Sequence, residues 1–139
     1  MVARSSVGYS DTSLARKLGI KAGARILVLG DAPNYTQLLG GLPEGAQIVS
    51  RAGASVDMAH LFTAKKAELE RRLRSLRSAL RPDVAVWVSW PKKSSKVPTD
   101  ITEDVIRAVA LPMGWVDIKV CAVTEIWSGL KLVVRAGLR

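Results

Sequence analysis

Apolar residues recur along this chain with two different spacings, and the change from one to the other marks out its elements. From Ala24 to Gly30 (ARILVLG) the run is nearly continuous and ends in Gly30-Asp31-Ala32-Pro33. A short unbroken run closed by turn residues predicts a strand buried on both faces, as strands of parallel sheets are. Val84 to Trp90 (VAVWVSW) repeats the pattern in β-branched and aromatic residues, which predicts a central strand. Ala46 to Ser50 is a second, shorter strand candidate, and Val56 to Phe62 is a third. Between Lys65 and Leu80 the spacing becomes helical. Leu69, Leu73, Leu76 and Leu80 fall at i, i+4, i+7 and i+11, one stripe of a 3.6-residue period, and Pro82 lies where the helix must stop.

The remaining segments complete the order. Met1 to Val7 is small and polar and is expected to be a flexible N-terminus, with residues 8–139 forming one domain. Ser10 or Asp11 is placed to cap a short helix carrying Leu14 and Leu18, with Gly19 as its left-handed stop and Ile20 folding back. Tyr35 to Leu39 predicts another short helix, halted by Gly40-Gly41. Asp100 with Glu103 resembles a capping box opening a helix to Ala110, which Pro112-Met113-Gly114 breaks. In Trp115 to Val123 the apolar Val116, Ile118, Val120 and Ala122 alternate with Asp117, Lys119 and Cys121. That strand and Leu130 to Arg135, joined by a longer connection from Thr124 to Gly129 with Ser128-Gly129 as its turn signal, predict a terminal hairpin. Strands and helices that alternate imply a mainly parallel sheet with right-handed crossovers. The expected fold is thus a single three-layer Rossmann-like α/β domain, its mostly parallel sheet ending in an antiparallel hairpin.

Composition narrows the classes. The 139 residues are 48% hydrophobic and 24% charged, the mix of a folded domain. One cysteine, Cys121, excludes an intramolecular disulfide, and one histidine, His60, excludes multi-histidine metal motifs, so no metal site is expected. No apolar run approaches the roughly 18–20 residues of a membrane span, and Met1 to Asp11 shows no signal core, so a cytoplasmic location is expected. Net charge is +9 and uneven: residues 31–63 carry −2, whereas 64–82 carry +5. Such a basic helix attracts polyanions without specifying a sequence, which makes nucleic acid one candidate partner. No aromatic residue interleaves with the run at 64–82, which counts against a stacking platform for single strands.

Two resemblances follow from particular residues. Leu80-Arg81-Pro82-Asp83-Val84-Ala85-Val86-Trp87, with Gly114-Trp115-Val116-Asp117-Ile118 and Leu132-Val133-Val134-Arg135, resembles the later strands of methyltransferases that use S-adenosylmethionine. Gly8-Tyr9-Ser10, Lys17-Leu18-Gly19-Ile20-Lys21, Val88-Ser89-Trp90-Pro91-Lys92-Lys93, Asp100-Ile101-Thr102-Glu103 and Trp127-Ser128-Gly129-Leu130 are similar to a family of small bacterial domains of unknown function. The second resemblance spans nearly the whole chain. It implies a compact cytoplasmic Rossmann-like domain and carries no catalytic residue across. The first implies a glycine-rich turn after the first strand and an acid after the second, for the cofactor's ribose. Here the first turn holds one glycine, then Asp31 and Pro33, and the second strand is followed by Arg51. No GxGxxG and no GxxxxGK[ST] is present either.

Ligands of open parallel sheets sit at the carboxyl ends of the strands. Candidate ligand-binding residues are therefore Gly30, Asp31, Arg51, Thr63, Trp90, Lys92 and Lys93, with Lys92, Lys93 and Lys96 read either as an anion clamp or as a solvated loop. His60 reads as a core group with both nitrogens satisfied, Cys121 as a small buried hydrophobe, and the four tryptophans as core or sheet-edge packing. Glu125 and Trp127 are placed to shape a pocket or a partner surface. No catalytic residue and no bound cofactor is expected. The resulting reading is a non-catalytic binding or regulatory domain for an anionic small molecule or a partner protein. The alternatives are a divergent S-adenosylmethionine-dependent methyltransferase and a nucleic-acid-associated basic protein.

Overall fold

The computed structural model describes residues 13–139. The expected flexible segment 1–7 lies outside the described residues, as do Ser10 and Asp11; the first helix is capped by Ser13, whose hydroxyl accepts the Arg16 N–H at 3.2 Å. The strands are β1 (Arg25–Gly30), β2 (Gln47–Val49), β3 (Met58–Phe62), β4 (Ala85–Pro91), β5 (Trp115–Ala122) and β6 (Trp127–Val134). They form one sheet in the order β2-β1-β3-β4-β6-β5. The ladders from β2 to β4 are parallel, and β6 inserts antiparallel between β4 and β5. The helices are α1 (Leu14–Leu18), α2 (Tyr35–Leu38), α3 (Lys66–Ala79) and α4 (Glu103–Ala110).

The continuous apolar runs exist because both faces of the sheet are covered. On one face Leu69, Leu73 and Leu76 of α3 and Ile106 and Val109 of α4 pack on Leu27, Leu61, Val88 and Leu132. On the other, Ala15 and Leu18 of α1 with Tyr35 and Leu39 of the α2 segment pack on Ile26, Met58, Phe62 and Trp87. Successive strand residues point to opposite faces, so a strand covered twice must be apolar throughout. Every residue of β3 is buried. Trp87 also ties the layers together: its indole N–H donates to the Leu18 carbonyl at 2.9 Å. Gly19 takes the left-handed conformation (φ 80°) that ends α1, and Ile20 folds back with its N–H on Ala15 O.

Local expectations are corrected at three places. The N-cap of α4 is Thr102, whose hydroxyl accepts from the Val105 N–H at 3.2 Å. Asp100 instead reaches across to α3, accepting from the Lys66 N–H at 2.7 Å. The period of two in β5 is broken by a bulge between Asp117 and Lys119. Asp117 pairs with Leu132 and Val120 with Leu130, so Asp117 and Val120 share a face and Val116 does not join Val120. The last strand begins at Trp127 rather than Leu130, because Trp127 and Ser128 already pair with Pro91 and Trp90. Among the described residues no helix is long and apolar enough to cross a membrane.

Candidate functional site

The chain leaves β1 toward β2 and returns on the other side as β3, so the strand order reverses between β1 and β3. That reversal is where an open α/β sheet offers its binding crevice. Gly30 has φ 85°, and a Cβ at this position would overlap the Phe62 carbonyl oxygen. The same oxygen accepts the Asp31 N–H at 2.9 Å, which carries the β1–β3 ladder one residue past the strand. Thr63, immediately after β3, is buried. Its hydroxyl donates to Glu68 Oε1 at 2.6 Å and accepts the Lys65 N–H at 3.1 Å, while its own N–H goes to Ser89 O. Gly30, Asp31 and Thr63 are thus brought together, with Thr63 committed to the start of α3. Arg51 stands apart, in a separate hollow of about 590 Å³ beside Arg25 and Ile48.

One strand over, at the end of β4, a surface cavity of about 520 Å³ opens above the indole of Trp90. Trp90 and Ile101 give it an apolar floor, Lys93 forms one rim, and Thr102, Glu103 and Arg107 line the other. The rim loop is built rather than slack. Lys93–Ser95 is a turn of 3₁₀ helix, the Ser95 hydroxyl donates to Lys92 O at 2.6 Å, and the Lys92 N–H donates to Ile126 O at 2.7 Å. The Thr99 hydroxyl donates to Ala64 O at 2.7 Å and so fastens the far end of the loop to the start of α3. Trp90 and Lys93 therefore share one cavity, Lys92 anchors its edge to the hairpin, and neither Asp31 nor Arg51 lines it.

Arg107 sets the electrostatics of the second rim. Its Nε donates to Asp117 Oδ2 at 2.9 Å, Nη1 to Asp104 Oδ1 at 3.1 Å and Nη2 to Glu103 Oε1 at 2.9 Å. These hydrogen bonds, Asp117's first, hold the guanidinium well above its ordinary range and hold the Asp117 carboxyl below its own. Three carboxylates on one guanidinium leave this rim anionic, facing the lysines of the loop. Sequence reasoning missed Arg107 and Asp117. The Glu103/Arg107 spacing of i, i+4 is a readable signal, whereas the Arg107–Asp117 bond joins two elements whose proximity only the fold supplies.

His60 lies on the α1/α2 side of β3. Its Nδ1 is 2.7 Å from the Tyr35 hydroxyl and its Nε2 is 2.7 Å from the Ser89 hydroxyl, and its ring stacks on Phe62 at 4.2 Å. A serine, a histidine and a third polar group in line resemble a nucleophile relay. All three are buried, however, and burial lowers the His60 pKa to about 3 and raises that of Tyr35. Both ring nitrogens are partnered, as expected of a core histidine. Cys121 is only half-buried, not a fully buried hydrophobe, and burial still raises its thiol. Trp87, Trp90 and Trp115 are buried, and Trp127 is half-buried with its ring edge-on to Phe62 at 5.3 Å. Trp127 and the exposed Glu125 stand outside the β4 cavity.

No family model and no curated protein sequence matches the chain. Solved structures do match. An S-adenosylmethionine-dependent methyltransferase from Aquifex aeolicus superposes with a TM-score of 0.63 at 12% identity, over 87% of this chain and 87% of that one. A candidate exported protein from Bordetella parapertussis gives 0.62 at 11% identity, over 88% of this chain and 66% of the other. Fibrillarin from Aeropyrum pernix, with natively bound S-adenosylmethionine, gives 0.57 at 16% identity, over 86% and 73%. The fold is Rossmann-like and similar to that of the methyltransferases, as the later strands suggested. The first turn holds a single glycine, packed against the Phe62 carbonyl oxygen, and Arg51 follows β2 in its own hollow.

Proposed function

We propose that this is a non-catalytic binding domain on a methyltransferase-like frame, and that it takes the anionic group of a small ligand or partner at the end of β4. The observation that carries the reading is the contrast between two neighbouring strand ends. At β1 the strand end carries a single glycine, packed against Phe62 O, with the Asp31 N–H bonded to the same oxygen. At β4 a cavity stands open beside Trp90 and Lys93. Lys93 on the rim is the attracting group, with Lys92 beside it in the chain, and the net anionic Arg107 cluster lies across the cavity. Any cationic part of a ligand faces that cluster instead.

The similarity to methyltransferase structures favours one other reading, a divergent methyltransferase, and a single set of melting curves separates the two. A ligand present at 100 times its Kd adds about 2.7 kcal/mol, a rise of several degrees for a domain this size. S-adenosylmethionine is expected to leave the melting temperature where it is. A rise of several degrees would replace the binding reading with the enzymatic one. Inorganic pyrophosphate at low salt is expected to raise it, and a Lys92→Ala/Lys93→Ala double variant to lose most of that rise. An equal loss in Arg16→Ala, on the exposed side of α1, would mean general charge rather than a site.

A further inference from the structure

The groove between α3 and α4 is a second recognition surface, and it shares no lining residue with the β4 cavity. Its volume is about 480 Å³. Lys66, Glu70 and Arg74 form one wall, and Val109, Pro112 and Met113 form an apolar wall opposite. Where the groove leaves the helices, Leu111 and Leu138 are 42% and 46% exposed. Three more guanidinium groups gather at that end. Arg77 donates to Met113 O at 3.0 Å, Arg135 to Leu111 O at 3.5 Å and Arg139 to Val134 O at 2.7 Å. All three acceptors are neutral carbonyls, which fix the guanidinium groups in place without cancelling their charge. Among the described residues none of Lys66, Arg74, Arg77, Arg135 and Arg139 belongs to an ion pair.

We infer that this groove docks an acidic, amphipathic segment of a partner protein. Charge complementarity selects the occupant: five cations with no ion-pair partner among the described residues border the groove or its exit, against one acid, Glu70, within it. A second copy of this chain, itself at +9, is disfavoured. The apolar wall selects against nucleic acid, because phosphates gain nothing from Val109, Pro112 and Met113, and no aromatic ring lines the groove to stack a base. Glu70, between Lys66 and Arg74, further breaks any continuous phosphate track. A helical partner avoids it. Lys66 and Arg74 are eight residues apart, roughly 12 Å along α3, the spacing of acids at i and i+7 or i+8 on a helix lying alongside. Apolar residues between those acids then face the α4 wall, the helix-in-groove mode of recognition.

The test uses a labelled synthetic helix-forming peptide with leucines on one face and glutamates at i and i+7, read by fluorescence anisotropy against the full chain. Polyglutamate and a DNA duplex are the comparison probes. The amphipathic peptide is expected to bind about tenfold or more tightly than polyglutamate of equal charge, about 1.4 kcal/mol. Lys66→Gln/Arg74→Gln should weaken it about tenfold. Ala108→Glu places an acid on an exposed position of the groove wall and should weaken it likewise, with the melting temperature unchanged. The proposal is overturned if polyglutamate or DNA binds as tightly as the peptide, if the peptide does not bind, or if these variants leave its affinity where it was.

Discussion

Gly30 shows how one residue decides what a strand end can hold. Its φ of 85° already favours glycine, and the carbonyl of Phe62 occupies the space a Cβ would take. Gly23 supplies the comparison: it also has positive φ, 76°, with open space around it. Alanine at Gly23 is expected to cost about 1–2 kcal/mol for the left-handed backbone alone. Alanine at Gly30 adds overlap with a backbone atom that cannot move without breaking the β1–β3 ladder, so at least about 2 kcal/mol more is expected. With a urea m-value of about 1–3 kcal/mol/M, the Gly30→Ala midpoint should fall about 1 M below that of Gly23→Ala. Coinciding midpoints would mean that the Phe62 carbonyl does not bar a side chain at position 30. The single glycine in this turn was legible in the sequence. Its partner was not, because Phe62 becomes a neighbour only when β3 pairs with β1.

Elements were legible where one periodicity held over the whole element. β1, β3 and β4 stood out because both faces are buried, and α3 because Leu69, Leu73 and Leu76 repeat at helical spacing. β5 was misread because a bulge changes the register without changing the letters, and Ile118 and Val120 are left 56% and 48% exposed. The cap of α3 was missed for a different reason. Lys65 at its N-cap offers no side-chain acceptor, and the acceptor comes from Asp100, 34 residues further along the chain than the Lys66 it serves. The β4 loop and α3 are therefore one mechanical unit. Asp100→Ala should cost about 1 kcal/mol, as loss of a capping side chain does, and should speed hydrogen exchange at the Lys66 amide. Asp100→Asn keeps an acceptor oxygen and should recover most of the loss. If both variants melt with the parent, the loop is not fastened through this bond.

At the scale of the whole molecule, the His60 chain joins three elements through one buried ring, Tyr35 before it and Ser89 after it. This constrains how the fold responds to acid. Buried His60 is neutral down to about pH 3, whereas in the unfolded chain it takes a proton near its ordinary 6.5. Between those values the unfolded state binds the extra proton. Stability is therefore fully present above about pH 6.5 and falls as pH drops, by up to about 1.4 kcal/mol per unit. Asp117, held below its ordinary 3.8 by Arg107, loses its own contribution in acid too, but only near and below that value. The two are separable by window. From pH 6.5 down to 5 the slope of unfolding free energy against pH should belong to His60 and should vanish in His60→Gln, which cannot titrate. The variant will be less stable at pH 7, since an amide cannot meet both hydroxyls with the same geometry. Its stability should nonetheless be flat across that window while the parent's falls. A parent curve that is equally flat would mean His60 is reached by water and protons without unfolding. In that case the Tyr35–His60–Ser89 chain is an accessible relay rather than a strut of the core.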